Sequence, residues 1–90
     1  MNVDIKRRAL HRSRIIEGQL RGLTKAIDAE KYCIDLLTQS LAIQQSLKSL
    51  DRLLLENHLR THVKHQLQDR KKEGKTIAEL LRIFTISNKT

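Results

Sequence analysis

Residues 31–70 read KYCIDLLTQSLAIQQSLKSLDRLLLENHLRTHVKHQLQDR, a stretch with neither proline nor glycine. Within it Ile34, Leu37, Leu41, Leu47, Leu50 and Leu54 fall on one helical face, and the line continues to His58. The pattern predicts one helix from about residue 31 to about residue 70, roughly 55–60 Å long at helical rise. A rod of that length cannot bury its stripe against one shorter helix, so a second copy of the chain must cover the remainder.

Upstream, Ile16, Leu20, Leu23 and Ile27 predict a first helix over about residues 4–29, with Asp4 as a short acceptor capping its start. Gly18 and Gly22 lie inside it, each costing up to about 1 kcal/mol against alanine, and their spacing suits close approach of another helix. Downstream, Glu73-Gly74-Lys75 interrupts the pattern, and a short third helix is expected over about residues 77–86. Tyr32 and Phe84 are the only aromatics, so the core must be aliphatic. The expectation is a single all-α domain over residues 1–90. Three helices per protomer pair into an antiparallel four-helix bundle dimer, because so small a leucine-rich chain completes its core by oligomerising.

Charge points to the partner. The chain carries a net charge of +8, which favours a polyanion and most simply nucleic acid. Lys6, Arg7, Arg8, Arg12 and Arg14 form a run without an acid, with His11 among them and Arg21 and Lys25 extending it. Arg70, Lys71, Lys72 and Lys75 form a second basic group. Solvated helix faces usually interleave glutamate for pairing one turn away, and its lack here favours phosphate contact. Single-stranded RNA is disfavoured, since base stacking needs aromatics. No apolar run reaches the roughly 20 residues of a membrane span, and the first residues lack a signal-peptide core. One cysteine excludes an internal disulfide and suits a reducing compartment, so a soluble cytoplasmic protein is expected.

That cysteine, Cys33, combines with His58 and His62 into a candidate metal site. Histidines four apart on a helix share a face, and a thiolate adds a third soft or borderline donor suited to Cu(I), Zn(II) or Ni(II). Cys33 and His58 are 25 residues apart, about 37 Å along one helix. They can share an ion only across an antiparallel subunit interface, which would contain two such sites. Coupling metal to quaternary structure in this way is what an allosteric switch requires.

Residues 12–23 (RSRIIEGQLRGL) and 31–39 (KYCIDLLTQ) closely resemble the copper-sensitive operon repressor (CsoR/RcnR) family, bacterial DNA-binding repressors of Cu(I), Ni(II)/Co(II), formaldehyde or sulfur species. The resemblance runs from about Arg7 to Phe84. It implies a disc-like homotetramer, a dimer of dimers, that binds operator double-stranded DNA without a helix-turn-helix reader. Effector binding would then weaken operator affinity and derepress an export or detoxification gene. Cys33 matches the family's thiol ligand and His58 the histidine contributed by the partner subunit. His62 falls where copper sensors most often carry a second cysteine and some members a histidine. Tyr32 and Glu79 resemble residues that orient the ligand histidine and couple it to DNA affinity. Arg12, Arg14 and Arg21, with Lys48, fall at or near the family's basic operator-contact surface, while Ile15 replaces one of its usual arginines.

The same resemblance ranks the effectors. One thiolate and two imidazoles suffice for Cu(I), whereas nickel and cobalt want four to six ligands. Nickel and cobalt sensors of the family recruit an early histidine, and this chain opens Met1-Asn2-Val3-Asp4, leaving its amine or Asp4 as substitutes. Persulfide sensors pair two cysteines; formaldehyde sensors carry an N-terminal proline and no histidine at the position of His62. Cu(I) is therefore expected, with Ni(II), Co(II) or Zn(II) as the alternative and His65 as a possible extra donor. Neither a membrane nor a small organic substrate is expected as a partner. An enzyme is disfavoured because no paired catalytic carboxylates, nucleophile elbow or phosphate-cradling loop occur. A helical oligomer that only binds or stores metal fits the triad but leaves the charge unexplained.

Overall fold

A computed structural model of the chain describes residues 1–63 and 69–89. Every element among them is helical: α1 spans Val3–Asp28, α2 spans Cys33–His58, a π-helical turn spans Leu59–Val63, and α3 spans Arg70–Lys89. The chain divides into two compact units, Met1–Glu56 and Asn57–Thr90.

In the first unit, α1 is capped by Asn2 rather than Asp4. The Asn2 carboxamide oxygen accepts from the Ile5 N–H at 3.0 Å, so the helix starts one residue earlier than the sequence suggested. Asp4 sits instead in the first turn, where its charge favours the helix dipole. It also pairs with Arg7 at 3.0 Å and Arg8 at 3.9 Å. At the other end the Lys31 N–H bonds to the Ala26 carbonyl at 3.0 Å and the Glu30 N–H to that of Ile27 at 2.9 Å. These are the two bonds of a Schellman cap, and Glu30 takes the left-handed position with φ 53°. The Tyr32 carbonyl then accepts the first bonds of α2, from Asp35 and Leu36.

The inward face of α1 differs from the one its leucines announce. Ile5, Ala9, Arg12, Ile16, Gln19, Leu23 and Ala26 form an alternating +4, +3 seam of buried and half-buried positions, flanked by half-buried Ser13 and Gly18. Leu20 and Ile27, expected on the core face, stay exposed. On α2 within the same unit the buried and half-buried positions are Leu36, Ser40, Ile43, Ser46, Ser49, Leu50, Leu53 and Glu56. Two polar residues therefore stand in the α1 seam. Arg12 donates through Nη1 to the Ser49 hydroxyl of α2. The Oε1 of Gln19 is buried and finds no hydrogen-bond partner among the described residues.

Little apolar area is sealed inside one chain. Ile5, Ala9, Ala26, Ile43 and Leu53 are the buried apolar residues among those described. The α2 stripe lies open, with Leu37 58% and Leu41 59% exposed. Gly18 and Gly22 meet no other helix within the chain. An added Cβ would find nothing within 4 Å at Gly22 and only the Arg21 guanidinium at 3.8 Å at Gly18.

Two expectations concern the C-terminal half. The α-helical register of α2 passes at His58 into the π turn, and the expected continuation to about residue 70 crosses residues 64–68, which lie outside those described. Here the Thr61 hydroxyl donates to the Asn57 carbonyl at 2.6 Å. The third helix begins at Arg70 rather than residue 77, running straight through Gly74 and on to Lys89. Asp69 explains the early start: its carboxylate accepts from the Lys71 N–H at 3.0 Å and its carbonyl from the Lys72 N–H at 2.9 Å. Once capped, a helix tolerates one interior glycine at about 1 kcal/mol.

Candidate functional site

The candidate metal donors sit at helix ends. Cys33 is the first residue of α2, exposed and unpaired in any disulfide. His58 is the last residue of the same helix and is half-buried, whereas His62 lies in the π turn and is exposed. Their rings face each other with centroids 5.4 Å apart and planes inclined by 35°. That spacing suits a shared ion. With metal–nitrogen bonds of about 2.0 Å, two imidazoles on a tetrahedral or trigonal ion have centroids about 5–5.5 Å apart.

No group of three or more His, Cys, Asp or Glu side chains able to hold a metal occurs among the described residues of one chain. The imidazole pair therefore stands without a third such donor among the described residues of the chain. Asn57, which sequence reasoning overlooked, is 5% exposed and anchors the turn by accepting from Thr61 through its carbonyl. A buried asparagine flanking a candidate ligand was the available signal. Tyr32 is exposed just before α2, and Glu79 is exposed on α3 with no hydrogen bond to His58 among the described residues. His65 lies outside the described residues.

The candidate phosphate contacts separate into two kinds. Lys6, Arg7, Arg8, Arg14, Arg21 and Lys48 are exposed. At about 100° per residue, Arg7, Arg14, Arg21 and Lys25 fall within about 40° of one another, opposite the α1–α2 seam. The stripe is thus available to an external polyanion while the other side of α1 packs on α2. Arg7 and Arg8 share Asp4, a surface contact worth little and readily exchanged for a phosphate. Arg12 differs: it is half-buried, and its guanidinium is engaged by Ser49. Its geometry ties α1 to α2. Ser49, invisible as a functional residue in the sequence, gains significance only through that contact. No described helix is long and apolar enough to cross a membrane.

Comparison with known proteins agrees with these features. A family model described as metal-sensitive transcriptional repressor matches residues 5–85. The copper-sensing transcriptional repressor CsoR of Mycobacterium tuberculosis is 39% identical over 56 residues, 62% of this chain and 47% of that protein. CsoR of Bacillus subtilis is 36% identical over 77 residues, 82% of this chain and 72% of the relative. The chain spans about half the length of the mycobacterial relatives it matches. The crystal structure of the copper-sensing repressor CsoR with Cu(I) from Geobacillus thermodenitrificans superposes with a TM-score of 0.79 at 28% identity, covering 94% of this chain and 91% of that one. With the family model matching all but the ends of the sequence, this chain belongs to the metal-sensitive transcriptional repressor family.

Proposed function

We propose that this chain is a copper-responsive repressor that binds operator double-stranded DNA as a homo-oligomer and releases it when Cu(I) binds. In this reading residues 1–90 act as one sensor domain in the cytoplasm, and the oligomer is a dimer of antiparallel protomers paired into a tetramer. The observation that carries the reading is the His58–His62 pair, held at 5.4 Å on one turn while the thiol stands at the opposite end of α2. The donors fit the metal. Cu(I) accepts two or three soft donors, and a thiolate with two imidazoles meets that need. Cys33 of one protomer and the histidines of its neighbour complete a site that neither chain holds alone.

Bound there, Cu(I) supplies a crosslink between protomers. The protein does the rest. His58 and His62 would hold the ion from the end of one helix, and Cys33 from the start of another. Drawing these ends together shifts the set of protomer arrangements. If the arrangement that holds the metal best differs from the one that matches the operator, release follows from the difference in affinities. Tyr32 and Glu79 act as orienting groups for His58 in this scheme, holding its ring through the second nitrogen. Lys6, Arg7, Arg8, Arg14, Arg21 and Lys48 contact phosphate, while Arg12 keeps α1 seated on α2 with its face outward. Affinity dominated by such contacts falls steeply with salt.

A second reading is favoured by the two imidazoles themselves, which serve Ni(II), Co(II) or Zn(II) as well as copper. Anaerobic titration of the DNA-bound protein with Cu(I) and with Ni(II), followed by fluorescence anisotropy, separates the two. Release by Cu(I) at lower metal concentration than by Ni(II) is expected. Cys33→Ala should keep operator affinity within about twofold and lose release by Cu(I). Copper release that survives in the variant would remove Cys33 from the site.

A further inference from the structure

The second basic group acquires a shape that the sequence did not reveal. Because α3 runs unbroken from Arg70 to Lys89, Lys71, Lys75 and Arg82 stand on one helix instead of being divided by a loop. At about 100° per residue they fall within about 40° of each other, along about 16 Å of helix. Ala78 lies between them and does not obstruct the face. All three cations are exposed, and none has an ion-pair partner among the described residues. Glu79 is placed to pair one turn from Lys75 or Arg82 and does not.

The charge lies on the wrong side for a lipid surface. Leu80 and Phe84 point about 180–220° around the helix from Lys71, with Ile77 beside them. A membrane-surface helix buries its apolar face and sets cations at the boundary of that face, within reach of the headgroups. On α3 a membrane covering Leu80 and Phe84 would leave Lys71, Lys75 and Arg82 pointing into water. The two faces are suited to two different contacts: protein on the apolar side, a polyanion on the other.

We propose that Lys71, Lys75 and Arg82 form a second duplex-DNA surface on α3, contacting phosphates in addition to those held by the α1 stripe. This rests on the reading of the chain as a DNA-binding repressor. Side chains spaced along one helix face, with no base-reading asparagine or glutamine between them, supply affinity and positioning rather than sequence discrimination. The surface therefore strengthens operator and non-operator duplex alike.

The test compares wild type with the triple variant Lys71→Ala, Lys75→Ala, Arg82→Ala. Alanine preserves helix propensity, and circular dichroism with light scattering checks that helicity and mass are kept. Binding to operator and to a scrambled duplex is followed from 50 to 200 mM salt. Each lost phosphate contact lowers the slope of log K against log salt by about 0.9, so the slope falls by about 2.5–3 for each protomer whose α3 meets the duplex. At 50 mM salt the variant should bind both duplexes at least tenfold more weakly, with the operator-to-scrambled ratio unchanged. An unchanged slope would overturn the α3 surface while leaving the α1 reading intact. A wild type that binds neither duplex would overturn the repressor reading itself. If wild type bound phosphatidylserine vesicles through these residues while the duplex slope stayed fixed, the occupant would be a membrane and the assignment would fall. Should the triple variant not fold, Arg82→Ala alone must lower the slope by about one for each such protomer.

Discussion

Glu30 is the residue most at odds with its backbone. It occupies the left-handed position that closes α1, at φ 53°, where a side chain crowds the chain and glycine does not. The cap itself is complete, since the Glu30 and Lys31 amides both find their carbonyls. Replacing Glu30 with Gly should keep those bonds and relieve the crowding. Against this stands the greater freedom glycine gives the unfolded chain, which leaves a net gain of about 0.5–1 kcal/mol. Urea denaturation should show a higher midpoint at unchanged slope; a lower midpoint would mean that the glutamate side chain contributes more than its strain costs. The same scale shows how single residues misled the reading. Arg12 looks in sequence like any member of a basic run, and only the structure turns its guanidinium toward Ser49. Residue type announces charge but not which side of a helix the seam occupies.

Among the elements, α2 declared itself most clearly, because its leucines repeat over many turns without a breaker. Its end did not. The change from α to π register leaves no mark on a hydrophobic pattern, and the Thr61 hydroxyl bond to the Asn57 carbonyl does not account for it, since Thr24, Thr38, Thr76 and Thr85 make the same bond within regular α-helix. In α1 Leu20 and Ile27 lie at the edge of the inward face and stay exposed, while the seam contains arginine and glutamine and so escapes a search for hydrophobic periodicity. The start of α3 was hidden by Gly74, whose weight as a breaker outran the cap supplied by Asp69. Gly74 has nothing within 4 Å of where a Cβ would stand, so its only cost is propensity. Gly74→Ala should stabilise α3 by up to about 1 kcal/mol. Amide exchange along residues 71–82 should slow by up to about fivefold where exchange reports opening of the helix. Faster exchange would show that the glycine serves a bend which the straight helix does not display.

For the whole molecule the decisive fact is how little one chain conceals. The five buried apolar residues among those described make a small core, while Ile34, Leu37, Leu41, Leu47 and Leu54 remain open along α2. Small domains hold together only when such area is removed from water. The same stripe runs between the thiol at one end of α2 and the imidazole at the other, so an antiparallel second copy laid along it would cover the leucines and bring unlike donors together. Stability and sensing would then depend on one contact, and Leu41 stands within it. Leu41→Asp removes about 2 kcal/mol of apolar burial from each protomer and introduces a carboxylate whose desolvation costs more. Dimer affinity should fall at least a hundredfold. Sedimentation at micromolar concentration should then move from a multiple of the 10.5 kDa chain toward a single chain, with thermal stability losing its dependence on protein concentration. Cu(I) affinity should fall with it, although Cys33, His58 and His62 are all retained, because the donors no longer meet. A Leu41→Asp protein that kept wild-type mass and bound Cu(I) as tightly would show that neither the assembly nor the site runs through the α2 stripe.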